Sequence, residues 1–204
     1  MPDLVRARPA DTHSPPQDSE LVSDVALVAL AQHHPQAFAQ IYARYLDPVY
    51  RYCYRRLGSS EAAEDATSLI FAKALSALPR YNGTSFRSWL FTIAHHVIVD
   101  RYRETPAAQP LDTAFSLRDE SPSPEDLAIA ADERRSVRAL LAQLPEHQRQ
   151  VIELRMAGLT GAEIALTLGR TPANVDVTQH RAITRLRGLL NIRADAQETR
   201  HEQP

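Results

Sequence analysis

The chain has 204 residues, 23 basic and 25 acidic side chains, a formal net charge of −2 and 44% hydrophobic residues. That is enough apolar material for one or two domains, while the balanced charge taken whole argues against a nucleic-acid partner, which usually meets a basic protein. One cysteine, Cys53, excludes a disulfide framework and a multi-cysteine zinc site, and no apolar run reaches the roughly 18 residues of a membrane helix.

Residues 1–19 carry Pro2, Pro9, Pro15 and Pro16 with little apolar content and read as a disordered arm. No basic-then-apolar leader is present, so a soluble, cytoplasmic protein without membrane insertion is expected. A short apolar helix is expected at 21–32. From Phe38 onward Ile41, Tyr42, Tyr45, Val49, Cys53 and Leu57 recur at helical steps, with Pro48 predicting a kink or two abutting helices. Gly58 and Ser59-Ser60 supply a stop and a new N-cap. The next helix, 61–78, is expected to bury Ala66, Leu69, Ile70, Ala74 and Leu75. A turn-rich loop at 79–84 precedes a helix capped by Ser85, with Phe86, Trp89, Leu90, Ile93, Val97 and Ile98 inward and a basic end at Arg101 and Arg103. Residues 104–124, with four prolines, form an acidic linker. A second helical block spans 125–191, and 192–204 is a polar tail. The expected fold is therefore all-α: two small helical domains, 20–103 and 125–191, joined by a flexible linker.

Resolved by segment, the charge changes meaning. Residues 35–103 hold 9 basic and 5 acidic groups, and residues 137–193 hold 8 and 4, so each block is net +4. The arm 1–34 is −3, residues 104–136 are −5 and the tail 194–204 is −2. Two basic modules are masked by acidic connectors. Of the basic residues 22 are Arg and only Lys73 is Lys, a bias that would suit phosphate contact but is more simply read as GC-rich genome composition, since Ala is also abundant.

Thr160-Gly161-Ala162-Glu163 is a capping box that opens a short helix with Ile164, Ala165 and Leu168 inward; Gly169 ends it, and Thr171-Pro172 starts another with Val175, Ala182, Ile183 and Leu186 inward. A short helix, a glycine turn and a longer basic helix make a helix-turn-helix, whose second helix enters the major groove with its N-terminal residues leading. Arg170, Thr171, Asn174, Asp176, Thr178, Gln179, Arg181 and Arg185 are the polar positions available to DNA.

Two segments resemble the conserved domains of extracytoplasmic-function (ECF) sigma factors of the sigma-70 family. The first is Ala63-Glu64-Asp65-Ala66-Thr67-Ser68-Leu69-Ile70-Phe71, followed by Ser85-Phe86-Arg87-Ser88-Trp89-Leu90-Phe91-Thr92-Ile93-Ala94 and Asp100-Arg101. The second is Leu144-Pro145-Glu146-His147-Gln148-Arg149-Gln150-Val151-Ile152-Glu153-Leu154-Arg155, continuing through Gly158-Leu159-Thr160 and Glu163-Ile164-Ala165 to Leu168-Gly169. The resemblance implies a factor that binds core RNA polymerase and directs promoter recognition, melting and initiation, with domain 20–103 as region 2 and 125–191 as region 4. It implies docking on the polymerase β′ clamp through Asp65, Ser68, Leu69 and Phe71. Capture of the minus-ten strand would fall to Arg80, Asn82, Thr84, Arg87, His95, His96, Arg101 and Arg103, and reading of the minus-thirty-five element to the helix-turn-helix positions given above. It also implies contact with the β flap, promoter DNA and an anti-sigma protein as partners, and no chemistry or cofactor of the chain's own.

The chain departs from the pattern at several positions. Ser68-Leu69 stands where Gln-Glu is common, Asp176 and Thr178 where Lys or Arg is common, and His96 where Asn is frequent. Asp176 either accepts from a cytosine amino group, or faces solvent or pairs with Arg170 or Arg181. Two rival readings compete with the resemblance. A helix-turn-helix regulator would bind duplex operators without polymerase. A metalloenzyme would draw on His95, His96 and Asp100, of which His96 and Asp100 share a helix face at i, i+4 spacing, but no third ligand on that face and no His-Glu-x-x-His motif accompanies the pair. Cys53, on an apolar stripe, reads as a buried inert thiol.

Overall fold

A computed structural model describes residues 23–104 and 135–201. The expected arm 1–19, the linker after Glu104, the start of the second block and the last three residues of the tail lie outside them. Every regular element among the described residues is helical: α1 (Asp24–His33), α2 (Phe38–Leu57), α3 (Ser60–Ala77), α4 (Phe86–Glu104), α5 (135–141), α6 (Glu146–Met156), α7 (Gly161–Leu168) and α8 (Pro172–His201).

Local chemistry sets the boundaries. Ser23 and Ser59 cap α1 and α3 by accepting from Ala26 N–H and Ala62 N–H, each at 3.3 Å. Gly58 ends α2 at φ +80°, a left-handed conformation that costs glycine nothing. Helix α2 runs unbroken through Pro48, whose missing N–H leaves the Arg44 carbonyl without its usual helical donor. Helix α8 continues to His201, ten residues past the end expected for the second block.

The first four helices pack α2 against α3 and α4, with α1 across them. Helix α3 buries Ala63, Ala66, Thr67, Ile70, Phe71 and Ala74, whereas Leu69 and Leu75, expected inside, are 40% and 44% exposed. The reason is helical phase: the buried stripe runs through 63, 66, 67, 70, 71 and 74, and at ~100° per residue positions 69 and 75 fall well away from it. Tyr42, also expected inside, is 42% exposed on α2, while Tyr52 and Arg56 are buried in its place. Helix α4 buries Phe86, Leu90, Phe91, Ala94, Val97 and Ile98, with Trp89 and Ile93 packed at the margin. Cys53 is wholly buried, and burial pushes its thiol up to about 12.

Helices α6, α7 and α8 join this assembly. Val151, Leu154, Leu159, Ile164, Ala165 and Val175 belong to the same continuous core as Leu90 and Phe91, while Leu141, Leu144, Ile152 and Ala182 form a second, smaller core. The seam between the two groups is polar as well as apolar. Arg56, its side chain 2% exposed, donates to Glu153 at 3.1 Å and to Glu146 at 2.7 Å; the Glu153 side chain is 1% exposed. Burial alone would lower the Arg56 pKa and raise both carboxyls; the ion pairs reverse this for Arg56 and Glu146, while Glu153 stays raised. Tyr102 closes the site, its ring under Arg56 and its hydroxyl donating to the Arg56 carbonyl.

Candidate nucleic-acid interface

The helix-turn-helix forms as its sequence dictates. Thr160 Oγ1 accepts from Glu163 N–H at 3.2 Å while the Glu163 carboxylate accepts from Thr160 N–H at 2.8 Å, closing both halves of the capping box. Gly169 turns the chain at φ +61° with open space around it, and Arg170 N–H donates to the Ala165 carbonyl at 2.8 Å. Thr171 Oγ1 then caps α8 by accepting from Asn174 N–H at 3.3 Å, and Pro172 fills the first helical position.

This places the residues expected at DNA unequally. Thr171, Asn174, Asp176, Arg181 and Arg185 are exposed along the first turns of α8, and Arg170 is half-buried. Thr178 is only 7% exposed, because it falls on the inward stripe one turn from Val175 and Ala182; it supports the helix instead of reaching outward. The Gln179 side-chain carbonyl accepts twice from Arg155, at 3.0 and 2.8 Å, which orients it towards α6. Asp176 is exposed and lies beside Gly161, close to Arg155. A groove beside this surface is lined by His147, Arg170, Thr171, Asn174, Thr178 and Arg181. His147 was not among the expected contacts, although its place in the first turn of α6, after Leu144-Pro145, is readable from the sequence. Val177, 51% exposed on α8 between Asp176 and Thr178, adds an apolar side chain to this surface.

On the other group, Arg80, Asn82 and Thr84 stand exposed on the loop between α3 and α4, and His96 and Arg103 are exposed along α4. Arg101 approaches Asp65 at 3.7 Å and Arg103 approaches Asp100 at 3.9 Å. Arg87 is half-buried, donating to the Gly158 carbonyl at 2.8 Å with its guanidinium over the Tyr45 ring. His95 is half-buried 3.5 Å from the Tyr52 hydroxyl, and burial together with the nearby Arg56 charge lowers its pKa to about 4. A neutral, enclosed imidazole is poorly suited to phosphate contact, whereas the next residue, His96, is exposed.

Of the expected docking residues on α3, Asp65, Ser68 and Leu69 share one exposed helix face at i, i+3 and i+4 spacing. Phe71 does not join them: at 4% exposure its ring packs against Phe38 and Tyr42, with centroids 6.4 and 4.7 Å away. It holds α3 on α2. Among the described residues no three His, Cys, Asp or Glu side chains converge as metal ligands, and no helix is long and apolar enough to cross a membrane.

The profile of sigma-70 region 2 matches residues 41–106 and that of sigma-70 region 4 matches residues 134–186. The ECF RNA polymerase sigma factor ShbA of Streptomyces griseus is 38% identical over 152 residues, covering 68% of this chain and 80% of the relative. The ECF RNA polymerase sigma factor BldN of Streptomyces coelicolor is 32% identical over 182 residues, 86% of this chain and 69% of the relative. The structure of CnrH in complex with the cytosolic domain of CnrY superposes with a TM-score of 0.65 at 26% identity, covering 81% of this chain and 96% of that one. The chain thus belongs to the ECF sigma factors of the sigma-70 family, the polymerase-associated proteins that confer promoter specificity on transcription initiation.

Proposed function

We propose a division of labour among three surfaces of this chain. The α3 face carrying Asp65, Ser68 and Leu69 docks on the β′ clamp of core RNA polymerase. Arg80, Asn82, Thr84, Arg87, His96, Arg101 and Arg103 hold the minus-ten non-template strand. The start of α8 reads the minus-thirty-five element in the major groove, Arg181 and Arg185 suiting phosphate or guanine, Asn174 suiting adenine and Val177 a thymine methyl. Phe71, His95 and Thr178 act as supports. The chain contributes binding alone; bond formation belongs to the polymerase, which places the protein in the cytoplasm. An anti-sigma protein is a fitting further partner, since covering α3 and α8 would silence both functions.

The observation that carries this reading is the construction of α8: a glycine turn and a threonine cap present Thr171, Asn174, Arg181 and Arg185 together to solvent. A consequence is that the two helical groups must part. Ser85 Oγ donates to the Glu163 carboxylate at 2.8 Å, joining the loop to α7. Helix α7 and the reading part of α8 together reach about 35 Å at ~1.5 Å per residue. The two promoter elements lie ~25 base pairs, or ~85 Å, apart on duplex DNA.

The docking face is tested by titrating immobilised core polymerase with wild type and Leu69→Arg. Leu69 is 40% exposed, so the variant keeps its fold; at least a tenfold loss of affinity is expected, and undiminished binding would remove α3 from the interface.

A further inference from the structure

We infer that Gln32 on α1 is a positioning residue for minus-ten strand capture, an inference that rests on the assignment of loop 80–84 to that strand. The Gln32 side-chain amide donates to the Leu78 carbonyl at 3.0 Å and to the Tyr81 carbonyl at 2.7 Å. These two carbonyls bracket the 3-10 turn Leu78–Arg80, which is also closed by Tyr81 N–H donating to Leu78 O at 3.0 Å. One NH2 group therefore holds both ends of the turn from which Asn82, Gly83 and Thr84 project. Its carbonyl partners lie 46 and 49 residues away in sequence, so the bond is tertiary and not part of the local turn.

Helix α1 can bear this role because it is anchored at its other end. Asp24, in its first turn, accepts from Arg44 at 2.7 Å and from the Tyr45 hydroxyl on α2, and Leu27, Val28 and Ala31 are buried in the core. The opposite end of the loop is fixed separately, by Ser85 Oγ accepting from Ser88 N–H at 3.2 Å at the start of α4. Only Asn82, Gly83 and Thr84 are left to adapt, a short span suited to holding an unstacked nucleotide at low ordering cost. Between α1, the loop and Glu163 of α7 lies a cavity of about 440 Å3, with Val28 and Gln32 on its α1 side and Tyr81 and Thr84 on its loop side. Gln32 thus sets the spacing of these walls.

The role depends on donors, which gives the test its chemistry. Gln32→Met keeps the length of the stem without donors; Gln32→Glu keeps the shape but turns an acceptor-only carboxylate on two carbonyl oxygens. Each variant is assembled with core polymerase and titrated against two fluorescent probes: a fork with a single-stranded minus-ten element, and a duplex carrying only the minus-thirty-five element. Both variants are expected to lose at least tenfold in fork affinity, Gln32→Glu the more, with duplex affinity and core-polymerase affinity within twofold of wild type. Unchanged fork affinity in Gln32→Glu, or an equal loss on both probes, would overturn the positioning role. Failure of wild-type holoenzyme to bind the fork would instead overturn the strand-capture assignment on which it rests.

Discussion

Replacing Glu153 by Ala removes one half of the buried pair that joins the two helical groups. Arg56 loses its acceptor at 3.1 Å but keeps Glu146 at 2.7 Å and the Tyr102 ring at 5.2 Å. Breaking a buried pair from one side costs roughly 3–5 kcal/mol, and the retained partner puts this case near the lower end, about 3 kcal/mol. The penalty exists only while α6 covers Arg56, because separation of the groups would let water solvate the guanidinium. It therefore measures the seam. The complementary variant is Arg56→Met with Glu153→Met, which removes both charges at once. Arg149 still pairs with Glu146 at 2.8 Å and Arg55 keeps its bond to the backbone carbonyl of residue 153 at 3.4 Å, so stability should stay within ~1 kcal/mol of wild type. Urea unfolding followed by the fluorescence of the sole tryptophan, Trp89, and by helical circular dichroism reads both. With a slope of ~2 kcal/mol per molar urea, Glu153→Ala should lower the midpoint by ~1.5 M and the double variant by less than ~0.5 M. A single variant that unfolds with wild type, or a double variant no better than the single, would refute a closed seam in the free chain.

Gly169→Ala should cost ~1 kcal/mol in thermal unfolding despite open space around the residue, since its φ of +61° is the sole obstacle, and Gly169→Asn should cost less; equal stability for both would contradict a left-handed turn. Thr160→Ala, which removes the acceptor for Glu163 N–H, should cost ~1 kcal/mol of the same transition. His95, lowered to about 4 chiefly by burial, takes up its proton more readily in the unfolded chain, so its contribution is complete above the usual histidine range near 6.5 and is lost as pH falls from there towards 4. Discounted for the exposed part of the ring, this is worth ~1 kcal/mol, and His95→Gln should flatten the stability profile over that window; an unaltered slope would show that other groups dominate. Arg181→Ala should reduce the salt slope of minus-thirty-five binding by ~0.9 if Arg181 meets a phosphate, and relax specificity at one position if it meets a base; loss of neither would take it off the DNA.

Features written in consecutive residues were legible. The capping box at 160–163, the glycine turn and the Thr171-Pro172 start all operate within four residues, and each forms as its sequence dictates. Periodicity was read less well on α3, where Leu69 and Leu75 fall out of phase with the buried stripe of Ala63, Ala66, Ile70 and Ala74 and stand at the surface. Phe71, expected at polymerase from its motif, and Thr178, expected at DNA as a polar position of α8, are buried at 4% and 7% exposure, because helical angle sets burial whatever the motif. The seam was invisible for a different reason: Arg56 and Glu153 are 97 residues apart. One cue was present, since Arg56 follows Tyr52 and Cys53 on the buried stripe of α2, and a charge on such a stripe calls for a distant partner. Gln32 had no such cue, for a glutamine near the end of a helix is ordinary surface until the loop it holds is in place.

Run-off transcription from a promoter library with purified core polymerase, in the presence and absence of the chain, tests whether the chain recognises promoters as a subunit of RNA polymerase. Initiation is expected at a defined set of templates sharing minus-ten and minus-thirty-five sequences, dependent on the chain and abolished by Leu69→Arg. Absence of core-polymerase binding and of initiation across the library, with specific duplex binding by the free chain, would contradict that role.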